Sequence, residues 1–92
     1  MTGQTKNTAK VYVDVLVGFD KAGYMKPLRL VWEDGEAYKI DRVLDVRPAP
    51  AMKAGSQGDR YTIRIRGRES FLFFERGTSV GSVLGRWFVE RR

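Results

Sequence analysis

The chain of 92 residues contains no cysteine and no histidine. Without cysteine there are no disulfides, no thiolate-bound metals and no cysteine nucleophile. Without histidine the commonest general base and metal ligand is missing, so the serines have no imidazole to activate them. These absences predict a protein that is not an enzyme and that needs no metal and no cofactor.

Long apolar runs are also missing. No segment approaches the roughly 20 apolar residues that a membrane-spanning helix requires. Residues 1–9 are polar and lack the apolar core of a secretory signal, which predicts a cytoplasmic protein. We expect residues 1–9 to form a flexible tail and residues 10–92 to form a single β domain, because a chain this short rarely builds two cores.

Charge is distributed unevenly along the chain. Residues 1–46 carry seven basic and seven acidic residues, so the whole net charge of +6 belongs to residues 47–92. Nine of the ten basic residues in that second half are arginine, whose planar guanidinium binds phosphate with two hydrogen bonds. This bias favours an anionic partner such as nucleic acid.

Alternation of apolar and polar residues predicts short β-strands. It occurs in six segments, residues 10–19, 25–33, 37–47, 60–66, 70–76 and 86–90. Asp34-Gly35 predicts a two-residue hairpin turn, and the broken alternation at Asp41 and Arg42 predicts a bulge or bend. Residues 48–59 contain two prolines and two glycines and predict a long surface loop.

The predicted fold is all-β, a small antiparallel β-barrel or half-barrel of five to six strands, because closure removes exposed sheet edges. Glycines spaced four apart between Gly77 and Gly85 predict a short helical turn before the last strand. An SH3-like barrel is favoured over an OB-like one. The OB-fold carries a helix between its third and fourth strands, and the Pro-Ala-Pro segment here forms helix poorly.

An arginine ladder is the sharpest candidate site. Side chains two apart on a strand face are about 7 Å from each other, close to the phosphate spacing of one nucleic-acid strand. The alternative is a solvated face whose arginines pair with neighbouring carboxylates such as Glu69. The candidate nucleic-acid-binding residues are Arg60, Arg64 and Arg66 on the strand, Arg68 in the following turn, and Arg86 on the last strand.

Exposed aromatic rings would complete such a site, because bases stack on them. Strand parity makes Tyr12, Phe74 and Phe88 candidates, although Phe74 and Phe88 fit a second small core better. Trp32 and Tyr38 beside the Asp-Gly turn are either core residues or an aromatic groove for a peptide. The predicted function is non-specific nucleic-acid binding, and the alternative is a protein-interaction or accessory subunit, including a homodimer, with no nucleic-acid role.

The segment PLRLVWEDGEAYKIDRV, at residues 27–43, occurs together with RYTIRIRG and the closing RWFVE. It resembles short bacterial proteins, mainly of Gram-positive organisms, that are built around a W-x-D-G-x-x-Y-x-I-D-x-V hairpin. The similarity covers most of residues 10–90. That group has no established activity, so the resemblance implies a small β domain and a bacterial source and assigns no functional residue.

Overall fold

A computed structural model describes residues 9–49, 58–77 and 84–91. These residues form seven strands and no helix: β1 (Ala9–Phe19), β2 (Met25–Val31), β3 (Ala37–Lys39), β4 (Arg42–Pro48), β5 (Gly58–Ile65), β6 (Arg68–Arg76) and β7 (Gly85–Arg91). Neighbouring strands are antiparallel, in the order β3-β2-β1-β7-β6-β5-β4, and the sheet forms a half-barrel. The predicted all-β half-barrel is confirmed at this level.

The count of seven strands corrects the predicted five to six. The third predicted segment is divided, because the chain bends where residues 40 and 41 hydrogen-bond to different strands. The Ile40 N–H donates to the Leu28 carbonyl of β2 (2.9 Å), and the Asp41 N–H donates to the Arg64 carbonyl of β5 (2.8 Å). The predicted break at this place is confirmed, and it links the two ends of the sheet.

The turn between β2 and β3 is longer than predicted. The Trp32 N–H donates to the Glu36 carbonyl (2.8 Å), which encloses a loop of three residues in place of the expected two. Gly35, the last of the three, has a φ of 88°. A three-residue hairpin loop ends on a residue with positive φ, and glycine takes that conformation without strain.

The strand β1 belongs to both halves of the sheet. Its residues 9–13 pair with β7, and its residues 14–19 pair with β2. The register shifts between Leu16 and Val17, which is a bulge of the kind that bends a strand. Because of these two pairings, β1 lies between β2 and β7 in the sheet.

The strands β6 and β7 separate after a short run of pairing. Residues 73–76 pair with residues 85–88, beginning at Phe73 and Phe88. Beyond that pair, residues 68–72 of β6 and residues 89–91 of β7 have no described strand on their facing sides. The sheet is therefore open between these two strands at the end that contains the β5–β6 hairpin.

Among the residues that the structure describes, the core consists of the buried side chains of Leu30, Ile40, Tyr61, Ile63, Leu72, Phe73, Trp87 and Phe88. Burial of one such side chain contributes about 1.5–3 kcal/mol to the free energy of unfolding. Phe88 is fully buried and stacks on Phe73 with ring centres 5.0 Å apart, while Tyr12 meets its edge. Phe74 instead packs on Trp87 in the main core.

Some predicted features lie outside the described residues. They are the tail before Ala9, most of the loop at residues 48–59, and the helical turn before the last strand. Ala9 itself, predicted to belong to the tail, begins β1. Within the described ranges, no helix is long and apolar enough to cross a membrane.

Candidate ligand-binding cleft

The turn between β5 and β6 decides where the central arginines lie. The predicted strand 60–66 ends at Ile65, and Arg66 and Gly67 form the turn with φ values of 53° and 78°. Positive φ at both central residues is what a type I′ hairpin turn requires. Arg66 therefore leaves the strand face that holds Arg64, and Arg68 belongs to β6 and not to the turn. These two positions correct the predicted ladder.

The Arg66 backbone is held in its conformation by Asp41, a residue in the bend that joins β3 and β4. Its N–H donates to the Asp41 carboxylate (3.0 Å). A residue with a side chain rarely adopts a φ of this sign, so the bond offsets part of the local strain. The hairpin end is thus fixed to the bend that joins β3 and β4.

A cleft of about 840 Å³ lies between the β5–β6 hairpin end and the β2–β3 hairpin. Its floor contains buried side chains of the core, such as Leu30 and Ile63. Ser70 of β6 and Glu90 of β7 also line it, so the cleft extends into the opening where these strands separate. This volume falls within the roughly 300–1,000 Å³ that is typical of ligand pockets.

Three aromatic rings of the cleft lie under arginine side chains. The Arg66 guanidinium carbon is 5.0 Å from the ring centre of Tyr38. The Arg60 guanidinium carbon is 4.5 Å from the ring centre of Phe71. A contact of this kind contributes about 0.5–1 kcal/mol where it is exposed to water. The third pair is Arg91 over Trp32, at 5.8 Å.

The arginines at the cleft differ in whether a carboxylate lies within ion-pair distance. Arg91 forms an ion pair with Glu33. Arg66 and Arg68, which both line the cleft, have no described carboxylate within ion-pair distance. Two cations at the cleft are therefore available to an anionic ligand.

The two arginines of β5, Arg60 and Arg64, lie on the outer face of the strand, opposite the face that holds the buried Tyr61 and Ile63. Arg64 is 3.9 Å from the Glu69 carboxylate on β6. Arg60 packs on Phe71, and its Nε is buried without a hydrogen-bond partner among the described atoms. The sequence left two alternatives open, an unobstructed arginine ladder and a face whose arginines pair with carboxylates. The outer face of β5 is closer to the second.

Arg86 lies in a third group, on the β1–β7 face. Its guanidinium carbon is 4.1 Å from the Tyr12 ring centre. The Tyr12 hydroxyl donates to Glu75 Oε1 (2.8 Å), and the Lys10 ammonium is 3.5 Å from the same oxygen. The Tyr12 hydrogen bond lowers the pKa of Glu75, partial burial opposes it, and Lys10 and Arg86 assist it.

The Tyr12–Glu75 bond predicts a pH-dependent stability difference. A carboxyl whose pKa is lowered by folding stabilises the protein above its unfolded pKa, and this contribution is lost as the pH falls through its folded pKa. Tyr12→Phe is therefore expected to cost about 1 kcal/mol at neutral pH. The difference from wild type should shrink in acid, as measured by urea unfolding at several pH values.

The matched control for this variant is Tyr24→Phe. Tyr24 is exposed in the β1–β2 turn, so the loss of its hydroxyl should leave the free energy of unfolding unchanged at every pH. A Tyr12→Phe deficit that stays constant into strong acid would contradict the assigned role of Glu75.

The structure brings together residues that came from two different hypotheses. Trp32 and Tyr38, predicted as either core residues or a peptide groove, line the same cleft as Arg66 and Arg68, predicted as phosphate ligands. Phe71 was not among the predicted site residues, yet it is 49% exposed and lines the cleft. Of the predicted stacking residues, only Tyr12 is exposed, and it lies outside the cleft.

No family model, curated protein or solved structure matches this chain. The chemistry of the cleft therefore indicates which ligand it can hold. The lining of the cleft combines aromatic rings, an apolar floor, the two cations of Arg66 and Arg68, and the carboxylate of Glu90. In the described part of the chain, no three acidic residues come together as a metal site. The lining suits a ligand that carries both a flat ring and a negative charge.

Proposed function

We propose that the protein is a small binding module with an SH3-like half-barrel, and that it binds nucleic acid without sequence specificity. One observation carries the proposal: Arg66 and Arg68, without described carboxylate partners, share a concave surface with the rings of Tyr38 and Trp32. Proteins that bind single strands combine such cations with aromatic side chains on which bases stack. Arg60, Arg64 and Arg86 contribute to the overall positive field.

Electrostatics supports this ligand class over an uncharged one. The chain carries a net charge of +6, all of it from the half that supplies β5, β6 and β7. Phosphate contacts dominate non-specific binding, and each contact releases counterions from the nucleic acid. Binding to the cleft should therefore weaken as the salt concentration rises.

Fluorescence anisotropy of labelled oligonucleotides across a salt series tests the proposal. We expect binding in the micromolar range at low salt. Two phosphate contacts correspond to a slope of about −1.4 in a plot of log affinity against log salt for a single strand. An absence of binding to DNA and RNA at low salt would refute the proposed function.

A protein partner is the second candidate, and a specific observation favours it. Residues 68–72 of β6 have no described strand on the β7 side, so an extended segment of another chain has room to pair there. The outer edge of β4 is less suitable. It carries a bulge between Val43 and Asp45, and it ends in Pro48, both of which hinder strand pairing.

A salt-independent mass near twice 10.5 kDa would favour this second candidate as a homodimer. The measurement is light scattering over a range of protein and salt concentrations. A monomer at all concentrations, together with salt-dependent oligonucleotide binding, would favour the nucleic-acid function.

A further inference from the structure

The three arginine-covered rings of the cleft differ in how firmly each arginine is held. Arg91, over Trp32, is also ion-paired with Glu33. Arg60, over Phe71, is half-buried, with its Nε enclosed. Arg66, over Tyr38, has an exposed side chain and no described carboxylate partner. Its guanidinium is therefore the easiest of the three to displace.

We propose that Tyr38 is a base-stacking residue and that Arg66 is its displaceable cover. An unpaired base takes the place of the guanidinium on the Tyr38 ring, and the freed guanidinium binds the adjoining phosphate. This inference rests on the proposed function and names its ligand more closely, as single-stranded nucleic acid.

The exchange is favourable because each group that loses a contact gains a stronger one. An exposed cation–ring contact is weaker than the stacking of a base on an aromatic side chain. The Arg66 guanidinium moves from an uncharged ring to a phosphate, with which it forms charge-assisted hydrogen bonds. The Arg66 backbone stays in place, since its N–H is bound to Asp41 (3.0 Å).

The position of Tyr38 excludes a paired base. Tyr38 is half-buried in the wall of the cleft, beside the buried Leu30 with which it pairs across β2 and β3. A base inside a duplex is stacked on both sides and paired at its edge, so it must leave the helix to reach this ring, at a cost in stacking and pairing. Duplex DNA therefore reaches Arg66 and Arg68 but not Tyr38.

The test compares Tyr38→Leu with Tyr38→Phe. Leucine retains apolar packing and removes the aromatic face, whereas phenylalanine keeps the face. The probes are a labelled oligothymidylate of about ten nucleotides, within the usual site size of small single-strand-binding folds, and its duplex with oligoadenylate. We expect Tyr38→Leu to weaken oligothymidylate binding about tenfold and to leave duplex binding and the salt slope unchanged. Tyr38→Phe should bind within about twofold of wild type.

A crosslinking experiment on the wild-type protein covers the case in which Tyr38→Leu does not fold. An oligonucleotide that contains 5-iodouracil should crosslink to Tyr38 on irradiation, as identified by mass spectrometry. Wild-type affinity of folded Tyr38→Leu, or crosslinks only at cleft residues other than Tyr38, would overturn the stacking proposal and leave the proposed function standing. Crosslinks only outside the cleft would overturn the stacking proposal and also the cleft as the binding site. A wild-type protein that binds no oligonucleotide would overturn both.

Discussion

Arg66→Glu combined with Arg68→Glu is expected to weaken oligonucleotide binding about a hundredfold. Both side chains line the cleft, and neither has a described carboxylate partner, so their charges act on a ligand and not on the protein's own acids. A hydrogen bond to a charged group contributes about 1.5–3 kcal/mol, and about 1.4 kcal/mol corresponds to a factor of ten in affinity. The slope of log affinity against log salt should also become shallower by about 1.4, because two phosphate contacts are lost.

The control for this double variant changes the net charge by the same amount elsewhere. The control variant combines Lys21→Glu with Lys26→Glu. Both positions lie at the β1–β2 hairpin, at the other end of β2 from Trp32. This variant should cost only a few-fold in affinity through the overall field. Equal losses in the two double variants would show that net charge and not the cleft determines binding. Anisotropy at fixed salt, with thermal melts of each variant, provides the comparison.

Phe88→Ala is expected to lower the free energy of unfolding by about 3–5 kcal/mol. The side chain is fully buried, stacks on Phe73 and receives the edge of Tyr12, with the Lys10 ammonium 4.8 Å from its ring centre. Alanine would leave a cavity where β1, β6 and β7 meet. Small domains have a total stability of about 5–15 kcal/mol, so the variant should be partly unfolded at physiological temperature.

Urea unfolding followed by tryptophan fluorescence measures this loss, with Phe19→Ala as the control. Phe19 is 66% exposed at the end of β1, so the same substitution there should change stability by no more than about 0.5 kcal/mol. A similar cost at both positions would contradict the assigned role of Phe88 as a buried side chain packed between Phe73 and Tyr12.

Local sequence predicted the strands well, because alternation is a local property. All six predicted segments are strands in the structure, and the break at Asp41 appears where the alternation fails. The strand count differed because a bend within one segment divides it between two partners. A pattern of side chains shows that a strand bends, but it does not show which strand each half will meet.

The site was predicted less completely, since it depends on distant pairing. Arg66 was assigned to the face of Arg64, and this fails because the turn begins one residue earlier than the pattern indicated. Phe71 is exposed because β6 and β7 stop pairing at Phe73, a register set by residues far apart in the chain. Arg86 joins Tyr12 only because β7 lies beside β1. The SH3-like type and the ligand stay predictions.

The adjacency of β1 and β7 also bears on how the chain reaches this structure. The pairing of Ala9 with Arg91 closes a loop that spans nearly the whole described chain, and such distant contacts slow folding because much chain entropy is lost before they form. During synthesis, residues 9–13 of β1 must wait for β7 to leave the ribosome before they can pair. Hairpins formed by near neighbours, such as β5 and β6, are available earlier. Among the described strands, the last to be made is therefore the one that completes the sheet.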